Sequence, residues 1–244
     1  MIPSSGSGHL WNNTMHLFRD FIELFFPRTC CLCGRPLMVG EEEICLHCLS
    51  DLPEALNAEC SNNYVVQRLQ GRVPLVAATT LLIFKRKNNT QKLLHQIKYH
   101  GNERLAVIMG RQMGHALSRN RQFDDVDIII PVPLHPRKLR KRGYNQSFLL
   151  SKGIAEVFKR PISDNNLIRT RHTETQTRKN REQRLDNMQD VFQLRDPERL
   201  KGHHVLLVDD VLTTGATTEA CWLALKKVEN IKISLATLSV SNDI

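Results

Sequence analysis

The chain has 244 residues, 41% of them hydrophobic and 24% charged, with 34 lysines and arginines against 25 acids and a net charge of +9. This length suits one large domain or one domain plus a small module, and the apolar fraction excludes wholesale disorder. The longest apolar runs fall far short of the ~18–20 residues of a membrane span, and residues 14–26 lack the features of a secretory signal, so we expect a soluble cytoplasmic protein.

The amino-terminal part of the chain divides into a leader and a helix before a cysteine-rich module. Residues 1–8 are rich in serine and glycine and predict a disordered leader. Residues 10–26 carry apolar side chains at largely helical spacing and end at Pro27. We therefore predict three regions along the chain, at residues 1–27, 28–56 and 57–244.

Two Cys-x-x-Cys pairs in the second region predict a metal site. Two residues between thiolates let both face one ion, and a second pair completes the tetrahedral sulfur shell of a structural Zn²⁺ site. The odd cysteine count of seven argues against a disulfide framework, and two pairs so close together favour a metal over a redox role. The predicted ligands are Cys30, Cys33, Cys45 and Cys48, and the sequence leaves open whether Cys31 replaces Cys30.

Strands alternate with helices between residues 75 and 240, which predicts an α/β domain with a mainly parallel sheet. We predict strands at 77–84, 127–132, 205–208 and 231–238, and helices at 89–100, 103–119, 145–159 and 217–228. The apolar run Val205–Val208 is typical of a strand that is buried on both faces.

The excess positive charge lies in two segments that we predict to be loops. Residues 137–142 read RKLRKR, and residues 168–184 contain six cations and two acids, so that the rest of the chain is neutral. Such a concentration indicates a polyanionic partner, either nucleic acid or a phosphorylated small molecule. A charge run can also be merely a solvated surface, an alternative that the neutrality of the remaining chain weakens.

The strand predicted at 205–208 leads into the most informative motif. Asp209 and Asp210 follow it, and Thr213–Thr217 form a turn of small residues before a helix. Ligands of parallel sheets bind at the carboxyl ends of the strands, and N–H groups at the start of a helix favour an anion. Adjacent carboxylates suit ribose hydroxyls and a hydrated Mg²⁺. The motif therefore predicts a site for a phosphorylated sugar, against the alternative of turn and capping chemistry alone.

Residues 205–217 resemble the phosphoribosyl-pyrophosphate (PRPP) signature of type I phosphoribosyltransferases at every position. The resemblance implies that the two acids face the ribose hydroxyls and that the turn holds the 5′-phosphate. It assigns PRPP binding to nine consecutive residues, which are Asp209, Asp210, Val211, Leu212, Thr213, Thr214, Gly215, Ala216 and Thr217.

Further motifs resemble the ComF/GntX family, namely the four-cysteine module, Pro131-Val-Pro with Arg142-Gly-Tyr-Asn-Gln, and the polar basic segment 171–187. The resemblance spans about residues 16–240 and implies a type I phosphoribosyltransferase fold, with a mainly parallel sheet flanked by helices, after a small zinc module. It implies a pyrophosphate loop with Val132, Pro133, Arg142 and Gly143, and a flexible loop with Arg171, Thr173, Gln176, Arg181 and Arg184. Asp209, Asp210 and Arg142 would be catalytic, and the candidates for a general base are His135, His172 and Glu174.

Three functions stay open on the sequence alone. The resemblance implies an enzyme that transfers phosphoribose from Mg²⁺-bound PRPP, for nucleotide salvage or DNA uptake, but it names no acceptor. The alternatives are a non-catalytic PRPP sensor and a competence factor that binds single-stranded DNA beside the DNA-uptake machinery, at the inner face of the membrane. Against DNA binding, few aromatic residues lie near the basic segments, and those few are Tyr144, Phe148 and Phe192.

Overall fold

The computed structural model describes residues 27–55, 63–85, 88–170 and 191–241. The chain divides into two compact units between Asp51 and Leu52, a few residues before the boundary expected after residue 56. The predicted leader, the helix at 10–26 and most of the loop at 168–184 lie outside the described residues. Among the described helices, none is both long and apolar enough to cross a bilayer.

The described helices and strands have the following bounds. The first unit contains α1 (Leu46–Ser50). The helices of the second unit are α2 (Tyr64–Leu69), α3 (Asn89–Tyr99), α4 (Glu103–Ser118), α5 (Pro136–Arg142), α6 (Gln146–Phe158) and α7 (Ala216–Leu225), with 3₁₀ turns at Arg121–Phe123 and Glu198–Leu200. Its strands are β1 (Ala78–Phe84), β2 (Ile128–Pro131), β3 (Leu167–Arg169), β4 (Phe192–Leu194), β5 (His204–Leu212) and β6 (Lys232–Ser241).

A four-stranded parallel sheet in the order β1-β6-β5-β2 forms the centre of the second unit. The inner strand β5 contains the apolar run Val205–Val208, in which every residue is 0% exposed, as expected for a strand covered on both faces. The predicted parallel α/β sheet is therefore confirmed. The register pairs Pro131, the last residue of β2, with Val208, so the segment that leaves β2 starts beside Asp209 in the continuing strand β5.

Asparagine side chains begin four of the helices. Asn63, Asn88, Asn102 and Asn145 are the N-caps of α2, α3, α4 and α6, and each side chain accepts a hydrogen bond from a backbone N–H of the first turn. Such caps satisfy donors that have no partner inside the helix and contribute about 0.5–2 kcal/mol each. They explain why helices at 89, 103 and 145 could be predicted close to their observed starts.

Glycines allow α4 and α6 to approach each other closely. A Cβ atom on Gly110 would lie 2.2 Å from the carbonyl oxygen of Leu150, and one on Gly153 would lie 2.1 Å from that of Val107. Any larger residue would force the helices apart. This close packing fixes α6, whose first turn carries Ser147 beside the candidate site described below.

Three predictions about local structure were wrong. Residues 137–142 lie in helix α5, not in a loop, because Pro136 begins it, the His135 ring accepts from the N–H of Arg137, and left-handed Gly143 ends it. This helix has no buried residue, so hydrophobic periodicity could not show it. The basic segment predicted as a loop from residue 168 starts within β3, which pairs with β4 in an antiparallel ladder. Finally, β5 continues to Leu212, so the acid pair lies within the strand and does not follow it.

Candidate functional site

The two predicted acids occupy the carboxyl-terminal half of β5. Asp209 Oδ1 accepts hydrogen bonds from Ser147 Oγ at 3.2 Å and from the backbone N–H of Asp210 at 2.9 Å. Asp210 Oδ2 lies 2.9 Å from the Nζ atom of Lys98, which is near the end of α3. Neither Ser147 nor Lys98 was predicted as a partner of the acids, because both reach them only through tertiary packing.

Protonation of the acid pair is strongly perturbed. Burial and, next to it, the neighbouring charge of Asp210 together raise the pKa of Asp209 from 3.8 to about 7. Hydrogen bonds from the Asp210 backbone and Ser147, together with the charge of Lys98, act in the opposite direction but are outweighed. The two adjacent carboxylates repel each other, and a hydrated divalent cation or sugar hydroxyls would relieve that repulsion.

The segment Thr213–Thr217, here called the threonine turn, leads from β5 into α7. Thr213, Thr214 and Ala216 are exposed. Gly215 is the N-cap of α7 with φ 81° and ψ 0°, a left-handed conformation that favours glycine. Because the first N–H groups of a helix lack partners within it, this exposed turn presents several donors to an anion.

Two arginines hold the threonine turn from a part of the chain that carried no motif. Arg68 Nη1 donates to the carbonyl oxygen of Thr213, and Arg72 Nη1 donates to that of Thr214 at 2.6 Å. Arg72 also forms an ion pair with Glu219 in the first turn of α7. These contacts span more than 140 residues of sequence, and no spacing pattern could have predicted them.

The predicted pyrophosphate loop starts beside the acid pair. The N–H of Val132 donates to the carbonyl oxygen of Val208 at 2.9 Å, and the carbonyl oxygen of Val132 accepts from Asn145 Nδ2 at 3.0 Å. Asn145, at the end of the segment between β2 and α6, is thus hydrogen-bonded to Val132 at the start of that segment. Pro133 is half-buried, and Gly143 is exposed with φ 89°.

The end of α3 connects this loop with the acids. The guanidinium of Arg142 lies 5.6 Å from the centroid of the Tyr99 ring, and Tyr144 Oη donates to the carbonyl oxygen of Ile97. Lys98, between these two contact residues, is the partner of Asp210. Adjacent residues at the end of α3 therefore contact both parts of the site: Tyr99 contacts Arg142, and Lys98 contacts Asp210.

The five predicted flexible-loop residues lie outside the described residues, as do His172 and Glu174. The described neighbour of that loop is Arg169 in β3, whose guanidinium lies 5.4 Å from the centroid of the Phe192 ring. Burial lowers the pKa of Arg169, whereas Cys221 and Asp209 raise it, so its charge interacts with the acid pair. The third candidate for a general base, His135, uses Nδ1 to cap α5.

The structure brings the four predicted cysteine ligands together in the first unit. The Sγ atoms of Cys30, Cys33, Cys45 and Cys48 all lie within 4.8 Å of one another. A tetrahedral ion with metal–sulfur bonds of about 2.3 Å would need sulfurs about 3.8 Å apart, and Cys33 Sγ and Cys45 Sγ are separated by 3.8 Å. The cluster could therefore hold a metal ion such as zinc with little rearrangement.

The surroundings of the sulfurs favour Cys30 over Cys31 as the first ligand. Burial alone would raise the pKa of Cys30, but hydrogen bonds from the backbone of Cys45, Cys33 and Leu32 outweigh it and lower the pKa to about 6. Burial raises the pKa of Cys31 and of Cys48 alike, so the positions of the sulfurs decide between the two registers. Cys30 belongs to the four-sulfur cluster and accepts from the backbone N–H of Cys45, whereas Cys31 is not part of the cluster.

Comparison with known proteins agrees with this arrangement. A model of the phosphoribosyl transferase domain matches residues 145–242. The DNA utilization protein YhgH of Shigella flexneri is 30% identical over 206 residues, which cover 80% of this chain and 88% of that protein. Competence protein ComFC of Bacillus subtilis is 26% identical over 219 residues, covering 83% and 86% of the two chains. Competence protein F of Haemophilus influenzae is 36% identical over 118 residues, covering 47% and 52%.

The chain belongs to the ComF family. This ComF protein combines a type I phosphoribosyltransferase fold, built on the parallel sheet, with a four-cysteine cluster near its amino terminus. Both the family and the fold class predicted from the sequence are confirmed.

Proposed function

We propose that this ComF protein binds PRPP at the carboxyl edge of its sheet. The observation that carries the proposal is that a half-buried acid pair in β5 is followed directly by an exposed turn at the start of a helix. The acids suit the ribose hydroxyls, and the threonine turn suits the 5′-phosphate, since a monophosphate needs several N–H donors but no lysine-bearing loop. The pyrophosphate group would lie towards Val132, Pro133, Gly143 and Arg142.

Bound Mg²⁺ would neutralise the pyrophosphate and polarise its bond to the sugar. The residues of this chain that fit the ion are Asp209 and Asp210, whose oxygens have few other donors and lie next to the proposed ribose position. Lys98 already neutralises part of the charge of Asp210, which keeps the acid pair compatible with folding before the ion binds.

We propose that the bound PRPP is a substrate for phosphoribosyl transfer. The bond from the sugar C1 to the pyrophosphate oxygen would break with its electron pair leaving on pyrophosphate, while an acceptor nucleophile forms a bond to C1. Arg142 would stabilise the charge that develops on the leaving group, and the acid pair would stabilise the positive sugar. The acceptor and its general base stay unassigned.

We further propose that the four-cysteine cluster binds one structural Zn²⁺. A closed four-sulfur shell leaves no position for a reacting water, and a unit with so small a core gains its stability from the ion. The role of the ion would thus be folding of the first unit.

A second candidate function is binding of single-stranded DNA during DNA uptake. Helix α5 exposes Arg137, Lys138, Arg140 and Lys141, and the 68% exposed ring of Tyr99 lies against Arg142 beside it. An exposed aromatic ring next to a row of cations can stack a base and contact phosphates, and the sequence alone did not place an aromatic residue there. The names of the related proteins, which refer to competence and DNA utilization, favour this second function. A role in DNA uptake would place the protein in the cytoplasm near the inner face of the membrane.

Pyrophosphate release from PRPP distinguishes these functions. We expect Mg²⁺-dependent release that requires one acceptor class when the protein is supplied in turn with nucleobases, ammonia and single-stranded DNA. Tight PRPP binding without release under every condition would instead identify a PRPP sensor. DNA binding that is indifferent to PRPP, with no PRPP binding by the protein, would contradict the first proposal.

A further inference from the structure

Helix α2 is fastened between the sheet and the threonine turn. Its N-cap, Asn63, is buried and donates from Nδ2 to the carbonyl oxygen of Ala78 in β1 at 2.5 Å. At its other end, Arg68 Nη2 donates to the carbonyl oxygen of Ser241 at the end of β6 at 2.6 Å, while its Nη1 holds Thr213. The helix thus connects the frame of the sheet with the turn.

The side chain of Leu69 in α2 packs closely against the turn at Gly215. A Cβ atom on Gly215 would lie 2.6 Å from Cδ2 of the buried Leu69 and 3.5 Å from Nη1 of Arg72. Glycine is therefore required here twice, for its positive φ and for the space that Leu69 occupies. The side of the turn that faces Leu69 is closed by α2, which leaves the opposite side for a ligand.

The arginines determine which way the peptide groups of the turn point. The described residues contain no cis peptide bond, and in a trans peptide the carbonyl oxygen of one residue points opposite to the N–H of the next. Since Arg68 and Arg72 bind the carbonyl oxygens of Thr213 and Thr214, the N–H groups of Thr214 and Gly215 are directed away from α2. That is the direction a phosphate must approach from.

Arg72 has a second effect on the same site. Its guanidinium binds Glu219, a 14% exposed carboxylate in the first turn of α7. An unpaired negative charge at this position would repel an anion held at the start of the helix. Arg72 removes that repulsion while it holds the carbonyl oxygen of Thr214.

We propose that Arg68 and Arg72 are positioning residues that orient the amides of the threonine turn for a sugar 5′-phosphate. The inference rests on the proposed PRPP site and extends it to residues outside the signature motif. It requires that the two arginines affect the 5′-phosphate end of the ligand and leave its pyrophosphate end unaffected.

Calorimetric titration with ribose 5-phosphate and, separately, with pyrophosphate tests this division. We expect R68Q to weaken ribose 5-phosphate binding about three- to tenfold, the range for one hydrogen bond, and R72Q to weaken it more because Glu219 also loses its partner. E219Q added to R72Q should recover part of the loss. Pyrophosphate affinity should stay at the wild-type value, and R111Q, which removes an exposed ion pair with Glu156, should change neither.

A second measurement keeps the inference separate from the proposed function. In ligand-free protein labelled with ¹⁵N, the amide resonances of Thr214 and Gly215 should move in R68Q and R72Q but not in R111Q. Unmoved resonances, or equal weakening of both ligands, would overturn the positioning role. If wild-type protein binds no ribose 5-phosphate at all, the PRPP site is wrong, and the amide resonances alone then decide whether the arginines orient the turn.

Discussion

Replacing Asp209 by asparagine should stabilise the ligand-free protein. The buried carboxylate of Asp209 lies beside Asp210, and its pKa is raised from 3.8 to about 7. At about 1.4 kcal/mol per pH unit, ionisation of Asp209 costs the folded state up to about 4 kcal/mol. Asparagine keeps an Oδ1 atom that can accept from Ser147 and from the Asp210 backbone, so D209N removes the charge without removing these hydrogen bonds.

The sign of the effect depends on pH. Below about pH 4 the carboxyl is protonated in both folded and unfolded chains, so its raised pKa has no effect on stability. Between about pH 4 and pH 7 the unfolded chain ionises while the folded one stays protonated, and the wild type loses stability as pH rises. The advantage of D209N should therefore grow through this window and become constant above it.

Urea unfolding at pH 5 and pH 8 measures this difference. We expect D209N to gain free energy of unfolding relative to the wild type at pH 8 and much less at pH 5. The matched variant D210N should gain less, because it relieves only the charge repulsion on Asp209 and leaves Lys98 without its ion-pair partner. A difference between D209N and wild type that is the same at both pH values would refute the reasoning.

Other predictions concern the cysteine cluster, the basic helix and the glycine packing. Elemental analysis should find one zinc per chain, retained in Cys31→Ser and lost in Cys30→Ser; retention in both would contradict the ligand set. In calorimetry, Arg142→Gln should abolish PRPP binding, whereas Lys138→Gln should leave it intact; equal effects of the two variants would argue against the pyrophosphate loop. Each variant should also reduce by ~0.7 the slope with which the logarithm of the single-stranded DNA binding constant falls with the logarithm of salt concentration. Gly153→Ala should lower the free energy of unfolding by about 1–3 kcal/mol, since its Cβ would meet Val107, and an unchanged urea midpoint would show that the helices can separate freely.

The central sheet could be predicted because its strands carry their own signal. The four residues Val205–Val208 are apolar without interruption and are fully buried in β5, so composition alone indicated a strand covered on both faces. The acid pair and the threonine turn follow within a few residues, where local sequence and local structure coincide. These parts of the site needed no knowledge of tertiary packing.

Other parts of the site could not be predicted, because distant packing creates them. Lys98, Arg68 and Arg72 reach the motif from segments that precede it by more than 100 residues, and nothing in those segments marks them as binding residues. Helix α5 was missed for a different reason: its end caps and the basic side chains of its last turn stabilise it at the surface without a buried residue. Hydrophobic periodicity reports burial, so it does not detect such a helix.

Calorimetric titration of Mg²⁺ with PRPP into the wild type and into the double variant D209N/D210N tests the central claim most directly. The claim predicts Mg²⁺-dependent binding by the wild type and a loss of about 1–3 kcal/mol for each acid replaced, the range for hydrogen bonds to charged groups. It would be contradicted by a double variant that is folded and binds PRPP with the same affinity as the wild type.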